Sequence, residues 1–420
     1  MPQVCPPTPS FLKPQPEREA SKHEFYPSMD NSARNSSIAL RPYQQEALAA
    51  IAEAESKGIR RQLVALPTGT GKTVIFSRLI AERRGRALVL AHRDELIGQA
   101  AEKILTVNPA ASVGIVKAER NESHRDIVVA SIQTLARESR LARIDPAGFR
   151  TVVVDEAHHA AADSYRRALE HFGCFSEAGP LTVGFTATPE RADEKALGEV
   201  FAEIVYRRDI LTMMRSGYLC DLRAIQVSLE ADFNELHSLH GDFIDAEASE
   251  MLMAANAPAH AVAAYKEHAP GRKTLLFTPT VELAHLMAGE FSSNGISAEA
   301  LSGETPKDER RGILNRLNSG ATRVVANCAV LTEGFDEPSV DCVIVARPTR
   351  SKTLYVQMIG RGTRLYPGKD DCLILDLVGA RGSTGVRSPG SIITFGSKRF
   401  VRLEIGFWRP DTNHVVADGS

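Results

Sequence analysis

The chain has 420 residues, 43% hydrophobic and 24% charged, an ordinary globular composition long enough for about two to three domains. A net charge of −2 excludes a global basic field, so any polyanion partner must be gripped by a local patch. No run approaches the roughly 18 apolar residues of a membrane span, and no basic region followed by an apolar core marks a secretory leader, so no membrane partner is expected.

In chain order, residues 1–37 are rich in Pro, Ser, Asn and charge and read as a disordered tail. Glu17, Glu19, Glu24 and Asp30 are acids that transit peptides avoid. From residue 38 to 217, apolar runs at 62–66, 87–91, 127–130, 151–155 and 182–186 predict strands. Helical patterns at 43–54, 94–105 and 165–172 lie between them. This alternation predicts a doubly wound parallel α/β sheet. Residues 219–270 break the rhythm and read as a hinge with a small insertion near 230–270, opening a second unit over 218–380. Strands are predicted there at 273–278, 297–301, 323–327, 342–346 and 372–376. Residues 381–420 carry a Gly/Ser/Arg stretch and the sole tryptophan, Trp408, with no assignable fold. The six cysteines form no C-x-x-C pair and read as core residues of a reducing compartment, giving a cytoplasmic or nucleoid-associated expectation with organelle import left open.

The stretch Leu66-Pro67-Thr68-Gly69-Thr70-Gly71-Lys72-Thr73 sits between a predicted strand and a predicted helix. A Gly-rich turn of backbone N–H groups followed by the positive end of a helix makes an anion nest. Lys72 stands where it can reach terminal phosphates and Thr73 where its hydroxyl can hold Mg²⁺. The first Gly of the strict phosphate-loop pattern is replaced by Leu66. A plain Gly-rich turn before a helix is the competing reading.

The second informative stretch is Thr151-Val152-Val153-Val154-Asp155-Glu156-Ala157-His158-His159. A β-branched run predicts a buried parallel strand that delivers two carboxylates at its C-terminal edge, where open α/β sheets bind ligands. Asp155 is the candidate for holding Mg²⁺ through water, and Glu156 for orienting or deprotonating an attacking water.

Read in order, these motifs resemble the superfamily 2 helicases over about residues 38–378. The closer resemblance is to the DNA branch containing type I and III restriction motor subunits and XPB-like repair helicases. It implies two tandem RecA-like lobes with ATP and Mg²⁺ between them. Leu40-Arg41-Pro42-Tyr43-Gln44-Gln45 is similar to the adenine-reading element, with Arg41 and Gln44 as its contacts, although a helix cap would use the same residues. Thr186-Ala187-Thr188-Pro189 resembles the motif that couples hydrolysis to movement, with Thr186 and Thr188 able to reach Asp155 and His158. Ala91-His92-Arg93 and Ser131-Ile132-Gln133-Thr134 resemble strand-binding motifs, implying phosphate contacts by Arg93, Gln133 and Thr134 without base reading. Phe277-Thr278 and Leu331-Thr332-Glu333-Gly334-Phe335-Asp336 match later motifs. The resemblance implies that Thr278 and Thr332 would face nucleic acid, and Gly334 and Asp336 the nucleotide. Gln357-Met358-Ile359-Gly360-Arg361-Gly362-Thr363-Arg364 implies a coupling role for Gln357 and arginine fingers at Arg361 and Arg364; a basic helix face is the alternative.

The resemblance implies an ATP hydrolase moving on or unwinding double-stranded or junction DNA through backbone contacts. Two alternatives stay open: an RNA helicase with the same core, and a nucleic-acid-binding scaffold whose ATPase is incidental or lost. The length leaves no room for a nuclease beside the motor, and a protein partner supplying substrate choice is expected.

Overall fold

A computed structural model describes residues 39–92, 94–187, 197–239, 241–332, 337–378 and 392–395. Two mainly parallel sheets follow one another along the chain. The first has eight strands in the order β4-β3-β5-β2-β6-β7-β1-β8. These are β1 (Arg61–Ala65), β2 (Arg86–Ala91), β3 (Val113–Lys117), β4 (Arg120–Asn121), β5 (Ile127–Ser131), β6 (Phe149–Asp155), β7 (Leu181–Thr186) and β8 (Glu203–Arg207). Only β4 runs antiparallel to its neighbour. The second sheet has seven strands, ordered β13-β14-β12-β15-β16-β9-β17. They are β9 (Asp221–Gln226), β12 (Thr274–Thr278), β13 (Ala298–Leu301), β14 (Val324–Cys328), β15 (Cys342–Val345), β16 (Asp371–Asp376) and β17 (Ile392–Phe395). Between β9 and β12 in the chain lies a two-stranded hairpin, β10 (Ser238–Leu239) with β11 (Asp242–Phe243).

Residues alternate sides along the central parallel strands, and both sides are buried there. Val64, Val89, Val129, Val153 and Val183 face one apolar cluster, while Leu63, Leu88, Val128, Val152 and Val154 face another. The second sheet repeats this, with Leu275, Val325 and Val343 on one side and Leu276, Val324, Ala326 and Ile344 on the other. Each such side chain contributes about 1.5–3 kcal/mol by leaving water, so a sheet covered on both faces gains on every residue of a β-branched run. The first cluster continues unbroken from Val64 and Phe185 through Met213, Met214, Leu219 and Cys220 to Leu275, Phe277 and Met358. One apolar core thus crosses from sheet to sheet.

Strands expected at 62–66, 87–91, 127–130, 151–155 and 182–186 appear as β1, β2, β5, β6 and β7, and the five expected in the second unit also form. The stretch read as an insertion near 230–270 divides. Its hairpin is tied by Asp242 and Ser238 to Thr349 and Arg350, and the helices Asp245–Ala254 and Ala257–His268 send Leu252, Ala261, Val262 and Tyr265 into the core under the second sheet. Within 381–420, which carried no fold assignment, β17 pairs antiparallel with β9. No described helix is long and apolar enough to cross a membrane, and Cys174, Cys220, Cys328, Cys342 and Cys372 are free thiols.

One glycine positions the site directly. In β7, a methyl on Gly184 would lie 2.5 Å from the Phe201 ring and 2.8 Å from the Ala157 side chain. The missing side chain lets the turn after β6 settle against β7. Gly184→Val is expected to lower stability by about 1–3 kcal/mol through overpacking, read as a lower urea midpoint; an unchanged midpoint would mean that Phe201 and Ala157 yield freely.

Candidate functional site

The functional candidates gather where strands end. β6, β7 and β1 are adjacent and in register, with Asp155 opposite Phe185 and Ala65 opposite Thr186, so their C-terminal ends share one edge. The Leu66 N–H donates to the Thr186 carbonyl at 2.9 Å and holds the start of the Gly-rich loop beside β7. Leu66 itself is fully buried in the apolar cluster, which accounts for an aliphatic side chain at this position.

Gly69 and Gly71 have φ of +85° and +75°, a left-handed backbone that favours glycine. Between them the Thr70 hydroxyl turns inward and donates to the Pro67 carbonyl at 2.7 Å, so this side chain shapes the loop from within. Gly71 caps helix α2 (Lys72–Glu82), placing Lys72 and Thr73 in its first turn at the positive end of the helix dipole. The Lys72 ammonium reaches back to the Leu66 carbonyl at 3.2 Å and is nearly buried.

Helix α1 (Pro42–Ser56) braces this loop. The Tyr43 hydroxyl and the Gln44 amide both donate to the Thr70 carbonyl, at 2.5 and 3.2 Å. The other end of the Gln44 amide accepts the Arg41 N–H at 3.0 Å. Gln44 therefore caps its own helix and ties it to the loop, while the Arg41 side chain is exposed. Burial raises the Tyr43 phenol pKa above its usual value, with the nearby Arg41 guanidinium opposing the shift. Tyr43 also meets Tyr218 edge-on at 4.6 Å, a link from the loop to the connection between the sheets.

Asp155 and Glu156 are both buried at the end of β6. Asp155 Oδ1 accepts the Glu156 N–H at 3.0 Å. Glu156 adopts φ of +48°, uncommon for a residue with a side chain and typical of functional strand ends. Its Oε2 lies 3.4 Å from His158 Nδ1. Among the described residues, the buried Thr68 Oγ1 and Thr186 Oγ1 near this edge have no hydrogen-bond partner, and Glu156 Oε2 has no contact beyond His158. Each such group costs about 1–3 kcal/mol when left unsatisfied. The first turn of α2 and the carboxylates offer hydroxyl and carboxylate oxygens, the hard donors that suit Mg²⁺.

The arginines come from the second sheet. Ser351 caps the helix Lys352–Gly360 by accepting the Leu354 N–H at 3.2 Å. The turn that follows lies on the phosphate loop. A methyl on Gly360 would fall 2.9 Å from Thr68 Cβ, and one on Gly69 would fall 3.0 Å from Arg364 Cγ. Gly362 meets its own side of the core, where a methyl would lie 2.1 Å from the Cys372 sulfur. The Cys220 N–H donates to the Thr363 carbonyl at 2.8 Å, and burial pushes the Cys220 thiol pKa up to about 11. The two arginines are placed differently. The Arg364 stem lies beside Gly69, whereas Arg361 is buried and gives Nε and a terminal nitrogen to the Thr332 carbonyl at 3.2 and 2.6 Å. Gln357, three residues before Gly360, is buried.

The nucleic-acid candidates scatter more. Gln133 is exposed at the end of β5 and donates to the His92 carbonyl at the end of β2. The Thr134 hydroxyl accepts the Ala118 N–H at 2.9 Å. Thr332 is buried, its hydroxyl donating to Ala329 at 3.3 Å. Thr278 is fully buried, its hydroxyl within reach of the Thr280 and Asn327 carbonyls at 2.9 and 3.3 Å, which makes it part of the sheet rather than its surface. Arg93, Thr188, Gly334 and Asp336 lie outside the described residues. Sequence reading assigned no role to Tyr43, Tyr218 or Gly360, although Tyr43 and Gly360 lie inside quoted motifs; only the folded contacts distinguish them.

Residues 37–191 match the family described as type III restriction enzyme, res subunit, and residues 257–366 match the helicase conserved C-terminal domain. IRC3 of Saccharomyces cerevisiae, whose name gives it provisionally as an ATP-dependent helicase, is 38% identical over 372 residues, 84% of this chain and 53% of that protein. The chain thus spans about half the length of this relative. The DNA 3′–5′ translocase XPB2 of Sulfurisphaera tokodaii is 25% identical over 387 residues, covering 81% of this chain and 82% of the relative. In fold, a fragment from Vibrio vulnificus, provisionally titled the HsdR subunit of a type I restriction enzyme, gives a TM-score of 0.63 at 23% identity, over 81% of this chain and 64% of that one. Two tandem RecA-like lobes, together with these matches, place the chain in the superfamily 2 helicases.

Proposed function

We propose that the chain is an ATP-driven motor that moves on or unwinds double-stranded or junction DNA, with lobes at 38–217 and 218–380. The observation that carries this reading is the seating of the Gly360–Arg364 turn on the Gly-rich loop, which sets the Arg364 stem of one lobe beside the loop of the other. The restriction-enzyme family match and the named DNA translocase relative support DNA as the polymer.

In this reading the loop N–H groups of residues 68–73 and the Lys72 ammonium bind the phosphates, and the Leu66 carbonyl gives up Lys72 when nucleotide arrives. Thr73 and Asp155 would hold Mg²⁺, which would supply neutralisation of phosphate charge. Glu156 orients the attacking water and accepts its proton. Arg364 stabilises charge on the transferring group. Arg361 joins it by leaving Thr332, or else supports it by holding Thr332 in place. Opening and closing of the cleft through ATP occupancy shifts the two lobes and their strand contacts relative to one another. A partner protein supplies substrate choice. The free, largely buried cysteines suit a reducing compartment.

Glu156→Gln is expected to lower steady-state ATP turnover about a hundredfold or more while nucleotide affinity persists; wild-type turnover in this variant would remove the assignment. Arg364→Ala is expected to cut turnover about a thousandfold with little change in nucleotide binding or melting temperature. Arg361→Ala should also lower the melting temperature, because its bonds to Thr332 are lost; equal melting curves for the two variants would contradict their different placements. Finally, ATP turnover of the full chain should rise with duplex or forked DNA and not with RNA. Stimulation by RNA alone would make it an RNA helicase, and no turnover with any polymer would support a binding scaffold.

A further inference from the structure

Glu156 stands at one end of a row of rings that ends at the nucleic-acid motifs. Its Oε2 lies 3.4 Å from His158 Nδ1. The His158 ring lies 4.0 Å from that of His159, tilted by 44°. His159 in turn stacks on His92, centroids 4.6 Å apart and planes within 24°. Gln133 closes the row: its amide donates to the His92 carbonyl and comes within 3.4 Å of His92 Nδ1, while its Oε1 accepts the Ser131 hydroxyl at 2.8 Å. The row therefore runs from the end of β6 across the end of β2 to the end of β5. Its first member carries the strained backbone of Glu156, whose carbonyl accepts the His159 N–H at 3.1 Å. His159 is thus bonded to the Glu156 backbone and stacked on the residue that Gln133 grips.

We infer that His159 is a positioning residue that couples occupation of the Gln133–His92 surface by a nucleic-acid strand to the setting of the Glu156 carboxylate. The inference rests on the motor reading above. A phosphate that draws the Gln133 amide away from His92 removes its bond to the His92 carbonyl and its contact with Nδ1, and so shifts the His92 ring. Stacked His159 follows, and the His158–Glu156 contact is reset. Energetic coupling of this kind needs a contiguous, closely packed path and a readout at both ends, and both ends here are named groups. His159 touches neither water nor phosphate in this scheme; it acts through Glu156.

The test uses the full chain with ATP, Mg²⁺ and a duplex DNA, measuring basal turnover, DNA-saturated turnover and the DNA dissociation constant by fluorescence anisotropy. In His159→Ala, basal turnover and DNA affinity stay as in wild type while the stimulation factor falls about fivefold or more. In His159→Phe, which keeps a flat ring in the stack, stimulation is largely restored. If the alanine variant fails to fold, His159→Gln removes the ring with a planar polar group and carries the same expectation. Full stimulation in the ring-less variants overturns the inference, as does a parallel loss of basal turnover, stimulation and melting temperature in all of them, which would make His159 a packing residue. A wild type that no nucleic acid stimulates overturns the motor reading itself and this coupling with it, an outcome distinct from a stimulated wild type with an equally stimulated variant.

Discussion

Two loops far apart in sequence meet here because side chains are missing at the points of contact. Gly69 admits the Arg364 stem, and Gly360 admits Thr68; in each case one added methyl would sit at 3.0 Å or less from its neighbour. Everything that distinguishes a cleft from two separate sheets depends on that approach. A guanidinium stabilises a phosphoryl group only at hydrogen-bond range, so a displacement of about an ångström would leave it a distant, screened charge. The continuous apolar cluster through Met213, Met214, Leu219 and Cys220 supplies the packing that holds the approach, and the Cys220–Thr363 backbone bond fixes its register.

The edge that receives this contact is costly to maintain. Glu156 takes a left-handed backbone, and among the described residues the buried Thr68 and Thr186 hydroxyls lack hydrogen-bond partners. Strain and unmet polarity together cost several kcal/mol by order of magnitude. The two sheets offset it: strands buried on both faces gain about 1.5–3 kcal/mol per large aliphatic side chain, and dozens are buried. Stability is thus placed in the strand bodies and chemical tension at their ends. Parallel topology is what makes this division possible, since it brings every strand's C-terminus to one edge.

The strands were legible where one residue type decided the matter. Thr151–Val154 and Leu88–Leu90 are β-branched or aliphatic runs that no solvated element would carry. β3, β8 and β17 went unread for different reasons. β3 is interrupted by Gly114, a glycine required because a methyl there would lie 2.3 Å from the Glu122 carbonyl. β8 (Glu203–Arg207) has charged ends suited to a sheet edge, and β17 exists only through its pairing with β9. The helix Ala257–His268 has an alanine-rich face with weak amphipathic contrast, so its burial beneath the second sheet could not be told from an exposed insertion. Among the candidate site residues, Lys72, Asp155 and Glu156 are singled out by residue type and spacing, and the fold brings the Gly-rich loop and the end of β6 to one sheet edge. Thr278 resembles a contact residue by motif and lies instead inside the sheet.

What the sequence alone determined is the fold class, the order of motifs and the residue types at the candidate edge, because hydrophobic period and motif spacing are local properties of the chain. Tertiary structure decided how those residues are used. It separated Arg361, bound to the Thr332 carbonyl, from Arg364, laid beside Gly69. It committed the Gln44 amide to the Thr70 carbonyl and stacked His159 on His92. Each of these contacts joins segments separated by tens to hundreds of residues. Their geometry follows from the packing of whole sheets, which no window of sequence contains.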